Sequence, residues 1–512
     1  MLNHDESLSE KFVRKGFWIY LFVFLTWPLS YGIRMILTHD LSVWDVGLFY
    51  GIMSFMLLLA TYNDFGMTES LNYFLPKLIV GWDYGRSKTL LLLALIAQIG
   101  SSSIIGTVIF SLAPWLAENY FHNISATDAI RIMCLFFVGS NLMHIGTTLF
   151  SVSQNTKFWR GTDFLRMFLT FVSIVILFFF GYGSLETYIW AWIVGLFLGA
   201  CIAWIFSYTR YYRIYFQHTP SVYDKKLVGD FLKYSLATVL TANIGMVLGQ
   251  IDMQIIIFFL WEVSAWYYSG YLALIGIPFV FLSPMIAFLF PVISELTGRN
   301  DTAGIWKIWG AFAKYLTIIA VWLSVFFLFF GVPFSVVFFW SGYEISGDIL
   351  KFSAPFLFFN FLIQLNFQIL AGIGRIRERA KILSITLICN IALNLLFILV
   401  FHWWPHGSAL AVGLSWIPMW YMSARSVREF THTLDLWAIG NNMLASILTF
   451  TGTFFMLRYF WNSLHALWVR YESILIILIA VFTSLSIFWL VNRALIDEAR
   501  NVLKSVRHTS SV

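Results

Sequence analysis

The sequence predicts an all-α integral membrane protein of fourteen transmembrane helices, built as two pseudo-symmetric six-helix lobes followed by two C-terminal helices. Three observations predict it. Of 512 residues, 60% are hydrophobic and only 11% charged, where a soluble domain carries roughly a quarter charged. The apolar residues come in long runs such as Phe17–Leu29, Leu90–Ile99 and Ile474–Val481, not in the two-residue alternation of a β-barrel wall. The basic residues recur between these runs on alternate sides. A soluble secreted protein, a nucleic-acid binder and a cytosolic enzyme are excluded, because none can hide this much apolar surface from water.

Each span is a stretch of about 20 largely apolar residues, enough to cross roughly 30 Å of hydrocarbon. The first, 15–38, follows Lys11, Arg14 and Lys15; the second, 43–63, ends before an inner loop with Lys77, Arg86 and Lys88. Span 87–113 contains the Leu90–Ile99 run, and span 126–150 has Arg131 near its outer end. Lys157 and Arg160 lead into 158–182, and 185–209 runs into Arg210 and Arg213. After the polar linker come 233–259, beginning at Lys233, and 264–292; Arg299 and Lys307 precede 306–332. Span 349–371 follows the longest outer connection, about 332–348, and 382–402 follows Arg375, Arg377, Arg379 and Lys381. Span 407–426 closes on Arg425 and Arg428, and 437–458 has Arg458 at its outer end. The last, 471–494, precedes Arg500, Lys504 and Arg507.

With the N-terminus inside, 27 of the 32 basic residues fall in inner segments. A wrong span count would scramble that alternation, so both termini are expected in the cytoplasm and the protein in the cell inner (plasma) membrane. The net charge of +6 reads as an inside-positive signature. No small-residue cleavage site follows the first run, so the first span is expected to be retained. Cys134, Cys201 and Cys389 fall within spans without paired spacing and read as packing residues, so neither metal nor cofactor is expected.

The spacing suggests a duplication. A shift of 218 residues aligns Lys15 with Lys233, Asp83 with Asp301, Phe49-Tyr50 with Tyr267-Tyr268, and the loop Lys157–Arg160 with Arg375–Arg379. Six spans per copy keep both copies in one orientation. The expected organisation is an N-lobe 1–210, a cytoplasmic linker 211–232, a C-lobe 233–430, and 431–512 with the last two helices and a basic tail. Arg34 and Asp252 each lie 19 residues past the aligned lysines, so opposite charges occupy equivalent positions. They are candidates for a gate or coupling pair; the alternative is that each snorkels to outer headgroups.

Arg166 and Lys314, each about eight residues into a span, are the intramembrane cations on the inner side and candidates to recruit a phosphate. Snorkelling to inner headgroups is the alternative. Asn243 and Gln250, Asn141 and His144, and Gln364, Asn366 and Gln368 lie deeper and could bond sugar hydroxyls or simply tie helices together. The candidate substrate-binding set is Arg34, Arg166, Lys314, Asn243, Gln250, His144 and Gln364. Pro28 with Gly32, and Pro278 with Pro284, are candidate hinges or static kinks.

Ile251-Asp252-Met253-Gln254-Ile255, leading through Trp261–Tyr268 to Phe290-Pro291, resembles the polysaccharide-exporter branch of the multidrug/oligosaccharidyl-lipid/polysaccharide exporter superfamily. Trp44–Phe49 with Asp64-Phe65-Gly66, and Ala371–Arg375, are similar to further motifs of that branch. Members often place a basic residue nearer the Gly that opens the second span than Arg34 lies to Gly47; His39 sits closer to that spot. The resemblance implies a flippase that moves an isoprenoid-pyrophosphate-linked oligosaccharide, such as an O-antigen repeat unit, from the cytoplasmic to the outer leaflet by alternating access. It implies membrane lipid and the lipid-linked oligosaccharide as partners, with a coupling proton or sodium and polysaccharide-assembly proteins as further ones, and no nucleic acid.

The nearest rival is a cation-coupled multidrug or metabolite antiporter of the same superfamily, for which Asp252 is the clear buried carboxylate of the second lobe. A membrane-embedded glycosyl transferase or polymerase would use larger outer loops rich in acids or His, and 332–348 offers only Glu344 and Asp348, so no enzyme is expected. No Walker-type glycine loop is present, which argues against an ATP-driven pump.

Overall fold

The computed structural model describes residues 8–430, apart from 288, 340 and 341, together with scattered positions from 444 to 486. Apart from those positions, the expected spans 437–458 and 471–494 and the tail Asp497–His508 lie outside the described residues. Every regular element among the described residues is helical. The chain is a multi-pass membrane protein: ten described segments are long and apolar enough to cross a bilayer. One of these, Lys225–Val280, holds the seventh expected span and the first part of the eighth.

Helix α1 (Leu8–Asp40) continues through Pro28, and α2 (Val43–Asn63) matches its expected span to the residue. The match has a local cause: Ser42 Oγ accepts from Asp45 N at 3.2 Å and caps the helix. The segment after α2 forms the amphipathic helix α3 (Met67–Val80). It starts from Gly66 at φ 69°, where a Cβ would also lie 2.5 Å from Ser235 O, so this entry into α3 requires glycine. The third span is α4 (Tyr84–Asn119), capped by Asp83 Oδ1. The fourth is split into α5 (Ala126–Met133) and α6 (Leu135–Val152).

The fifth span is α7 (Thr156–Phe179), and the sixth is α8 (Leu185–Ser207), opened by a Ser184/Thr187 capping box and extended by a π-helical turn, Tyr208–Phe216. The seventh span is broken at Asn243 into α9 (Lys225–Ala242) and the start of α10 (Ile244–Ala287). Helix α10 leaves helical geometry at Trp261 (φ 65°, ψ −176°), where the seventh and eighth spans meet. It is followed by α11 (Leu289–Gly298), α12 (Thr302–Phe339), α13 (Glu344–Ser353), α14 (Leu357–Gly372), α15 (Ile376–Leu395) and α16 (Trp404–Ser426).

Packing divides the chain into two compact units. The first holds Met1–Ser269, Val280–Phe288 and Leu383–Pro405. Within it α7 packs on α1 and α8, α6 on α4 and α8, and α3 on α4, α6 and α9. The second holds Gly270–Phe279, Leu289–Ile382 and the described residues from His406 on, with α12 against α13 and α14, and α11 against α14.

Candidate functional site

In the first unit, α2 runs antiparallel to the start of α10, from Thr61 beside Asn243 to Gly47 beside Glu262. Asn243 Nδ2 donates to Thr61 O at 2.6 Å near one end. Midway, Ser54 Oγ donates to Gln250 Oε1 at 2.7 Å and accepts from Gln254 Nε2 at 2.9 Å. Tyr120 OH donates to Gln254 Oε1 at 3.0 Å, so four side chains form one hydrogen-bonded row. Farther along, Gly51 faces Ile257, and Gly47 lies against the backbone of Glu262. Two glycines one helical turn apart let the helices approach to backbone distance.

Arg34 and Tyr50 flank this seam. The Arg34 guanidinium lies 3.9 Å from the Tyr50 ring centroid and donates from Nη1 to Ser269 Oγ at 3.2 Å. Ser269 in turn donates to Trp266 O at 2.7 Å. The cation is thus held by a ring face, which is attractive to positive charge in a low dielectric, and by a hydroxyl.

Asp252 is buried, 6% exposed, and accepts from Asn394 Nδ2 at 2.7 Å. Asn394 also donates to Asn390 O at 3.0 Å, and its own Oδ1 is buried without a hydrogen-bond partner. Asn390 and Asn394 sit four apart on α15, hence on one face. The structure therefore gives Asp252 an amide partner, while Arg34 engages Tyr50 and Ser269. A buried carboxylate held by a single amide N–H keeps acceptor capacity for a proton or a small cation. Among the described residues there is no group of three or more His, Cys, Asp or Glu able to hold a metal.

The remaining candidates lie apart. Arg166 is half-buried on α7, its stem packed where Gly199 of α8 makes room for it. His144 is exposed on α6. Asn141, its neighbour, donates to Gln98 O at 3.0 Å and Ser102 Oγ at 2.8 Å, inside a buried network with Asn63 and Ser101 that ties α2, α4 and α6 together. In the second unit Lys314 on α12 and Gln364 on α14 are half-buried. Asn366 accepts from Trp309 Nε1 at 3.1 Å and donates to Ser423 at 3.1 Å, which is interhelical bonding. Ser54, Tyr120, Ser269, Asn390 and Asn394 were not among the sequence candidates. Only the two Asn at four-residue spacing in an apolar run carried a signal that sequence alone could have used.

The sequence profile of the polysaccharide biosynthesis protein family matches residues 12–297. An uncharacterized membrane protein of Methanocaldococcus jannaschii is 24% identical over 434 residues, covering 81% of this chain and 83% of that protein. The lipid II flippase MurJ, in an inward closed conformation, superposes with a TM-score of 0.71 over 93% of this chain and 99% of its own at 16% identity. An inward-facing multidrug resistance MATE family transporter of the MOP superfamily gives 0.61 over 83% and 94% at 13% identity. A MOP superfamily transporter from Pyrococcus furiosus gives 0.57 over 86% and 95% at 13% identity. At these identities the structures show a shared fold. The profile match covers more than half of the sequence, and the protein belongs to the polysaccharide biosynthesis protein family.

Proposed function

We propose that this protein flips an isoprenoid-pyrophosphate-linked oligosaccharide from the cytoplasmic to the outer leaflet of the inner membrane, by alternating access and for cell-surface polysaccharide synthesis. The observation that carries the reading is Arg34, a guanidinium fixed between Tyr50 and Ser269 beside the Ser54–Gln250–Gln254 row. A charge held inside a span at this cost points to function. Guanidinium is the side chain that best matches phosphate oxygens, and carboxamides suit sugar hydroxyls. Family membership supports the polysaccharide context, and the fold shared with a lipid II flippase supports lipid-linked cargo. Arg166 and Lys314 serve in this reading as the inner-side cations that receive the diphosphate.

The buried Asp252 with Asn394 favours ion-coupled operation, by proton or sodium, and is also the feature an antiporter of this fold would need. Proteoliposomes separate the two. A fluorescent polyprenyl-diphosphate oligosaccharide, scored by dithionite quenching, should cross in a protein-dependent way. Arg34→Gln should slow it by roughly 10- to 100-fold, the equivalent of one charge-assisted hydrogen bond. Wild-type rates in Arg34→Gln, or gradient-driven efflux of ethidium without movement of the lipid, would overturn the flippase reading.

A further inference from the structure

At the basic end of the first unit, expected at the cytoplasmic face, three cations on the start of α7 and the turn after α8 each rest on an aromatic ring. Lys157 Nζ lies 4.8 Å from the Trp18 ring, Arg160 4.5 Å from Trp159, and Arg210 4.3 Å from Phe158. Trp18 is on α1, residues 157–160 open α7, and Arg210 is in the π-helical turn after α8. The loop before α7 is pinned by Tyr211, whose hydroxyl accepts from Ser153 Oγ at 2.8 Å and from Asn155 Nδ2 at 3.2 Å.

The second unit contains the matching piece under the 218-residue register, solved differently. Arg375 corresponds to Lys157, Glu378 to Arg160, Arg428 to Arg210 and Glu429 to Tyr211. Arg375 also has a ring nearby, Phe430 at 6.0 Å, but it is ion-paired with Glu429, lies 4.0 Å from Glu378, and donates to Ser426 O at 3.1 Å. In that copy the end of one span pins the loop through a carboxylate that neutralises the loop's cation. In the first copy the same pin is a neutral phenol, and the second carboxylate position holds another cation. The acid paired with this cluster is Asp163, 3.8 Å from Arg160, and both side chains are about 40% exposed, so the pair is weak.

Pinning the loop therefore does not require uncompensated charge. A cation on a ring face keeps its N–H donors available for an anion. Phe17, beside Trp18, and Ile214, in the same turn as Arg210, are 57% and 64% exposed, which places lipid next to the cluster. We infer that Lys157, Arg160 and Arg210 form a capture site for the diphosphate of a polyprenyl-linked substrate arriving through the inner leaflet. Trp18, Trp159 and Phe158 hold the three cations at headgroup depth. This rests on the flippase reading and adds a first contact, distinct from Arg34, to it.

The test is lipid retention by the full-length protein in phosphatidylcholine nanodiscs, measured by native mass spectrometry with undecaprenyl diphosphate and, separately, phosphatidylglycerol. The combined variant Lys157→Gln, Arg160→Gln, Arg210→Gln should bind undecaprenyl diphosphate at least about tenfold more weakly, since each lost cation removes a charge-assisted bond. Phosphatidylglycerol retention should change less than about twofold, because one diffuse charge gains little from a three-cation site. Tyr211→Glu, which installs the carboxylate of the second copy, should weaken diphosphate binding with all three cations present, and Tyr211→Phe should not. Equal retention by wild type and the triple variant, equal loss of both lipids, or an inert Tyr211→Glu would overturn the capture site. Failure of wild type to retain undecaprenyl diphosphate at all would overturn the substrate reading beneath it.

Discussion

Replacing Gly47 by alanine tests whether the α2–α10 seam is a closed gate. A Cβ built on Gly47 would lie 2.7 Å from the carbonyl carbon of Glu262 and 3.2 Å from its Cα, and closer still to its oxygen. Carbon atoms settle at about 3.5–4.0 Å, so the two backbones must part by roughly 1 Å. No flexible side chain can yield, because every atom in the way is backbone. Overpacking of this kind costs about 1–3 kcal/mol, which would lower the closed population roughly 5- to 150-fold relative to any state with the seam parted. The assay is cross-linking of a Ser54→Cys/Gln250→Cys pair in a background with Cys134, Cys201 and Cys389 replaced, since the native side chains touch at 2.7 Å. Gly47→Ala should lower the closed-to-open ratio by that factor, read as slower cross-linking than in the parent, and expose a cysteine at Asn123, which reaches Glu262 at 3.5 Å, to impermeant maleimide. Gly100→Ala, where nothing lies within 4 Å of the added methyl, is the control and should leave both readouts unchanged. Cross-linking at the parent rate in a folded Gly47→Ala protein would show that the seam tolerates the wedge and does not gate.

Four further outcomes are expected. Asn394→Leu removes the 2.7 Å bond to Asp252 and should lower Tm by an amount equivalent to about 1.5–3 kcal/mol; Asp252→Asn should abolish any dependence of transport on a sodium or proton gradient while the protein stays folded. Glu69 lies in the first turn of α3, outside the spans, and burial first, then nearby Asp64, raise its carboxyl above the ordinary range. A raised folded-state value means that stability present at low pH is lost as pH climbs through it, so Glu69→Gln should raise Tm near neutral pH and the gain should vanish toward about pH 4. Gly66→Ala combines a left-handed φ of 69° with the approach to Ser235 O and should destabilise by more than the ~1 kcal/mol a left-handed alanine costs alone, read as a fall in Tm larger than that of Ser235→Ala.

The sequence made the spans legible because lipid imposes one rule over 20 residues at a time, and α2 matched to the residue because Ser42 supplies a cap at its start. Helix α3 escaped that rule, being 14 residues long and only half apolar. The break at Asn243 escaped it too, because hydropathy continues across a position where the side chain leaves its own helix to bond Thr61. Arg34 stood out as a charge in an apolar run, but Ser269 lies 235 residues away and a ring face leaves no pattern in sequence, so its partners were not legible. Asn141 was open in sequence to bonding either a sugar or a neighbouring helix, and it bonds Gln98 and Ser102. Composition sees polarity at depth and cannot tell whether a neighbouring helix has already satisfied it.

The opposite charges at equivalent positions take on meaning from what surrounds each. Under the 218-residue register, the partners of Asp252, Asn390 and Asn394, correspond to Val172 and Ile176 on α7. Neither residue carries a polar group, whereas the arginine at position 34 meets the Tyr50 ring and Ser269. The second copy holds its charge with an amide N–H and has its loop cation paired with Glu429. The first copy has a cation at depth, cations on rings at its basic end, and a phenol where the carboxylate would be. Each difference taken singly is a local accommodation. Taken together they give one copy groups suited to anions and the other a buried carboxylate suited to a proton or cation. Asp252→Arg would therefore fail to convert the second copy, because it takes the acceptor away from Asn394 Nδ2 and sets an amide N–H against a buried cation; Asp252→Asn, which keeps an oxygen for that N–H, should fold better than Asp252→Arg, and an arginine variant with the higher Tm would refute the coupling between the charge and its surroundings.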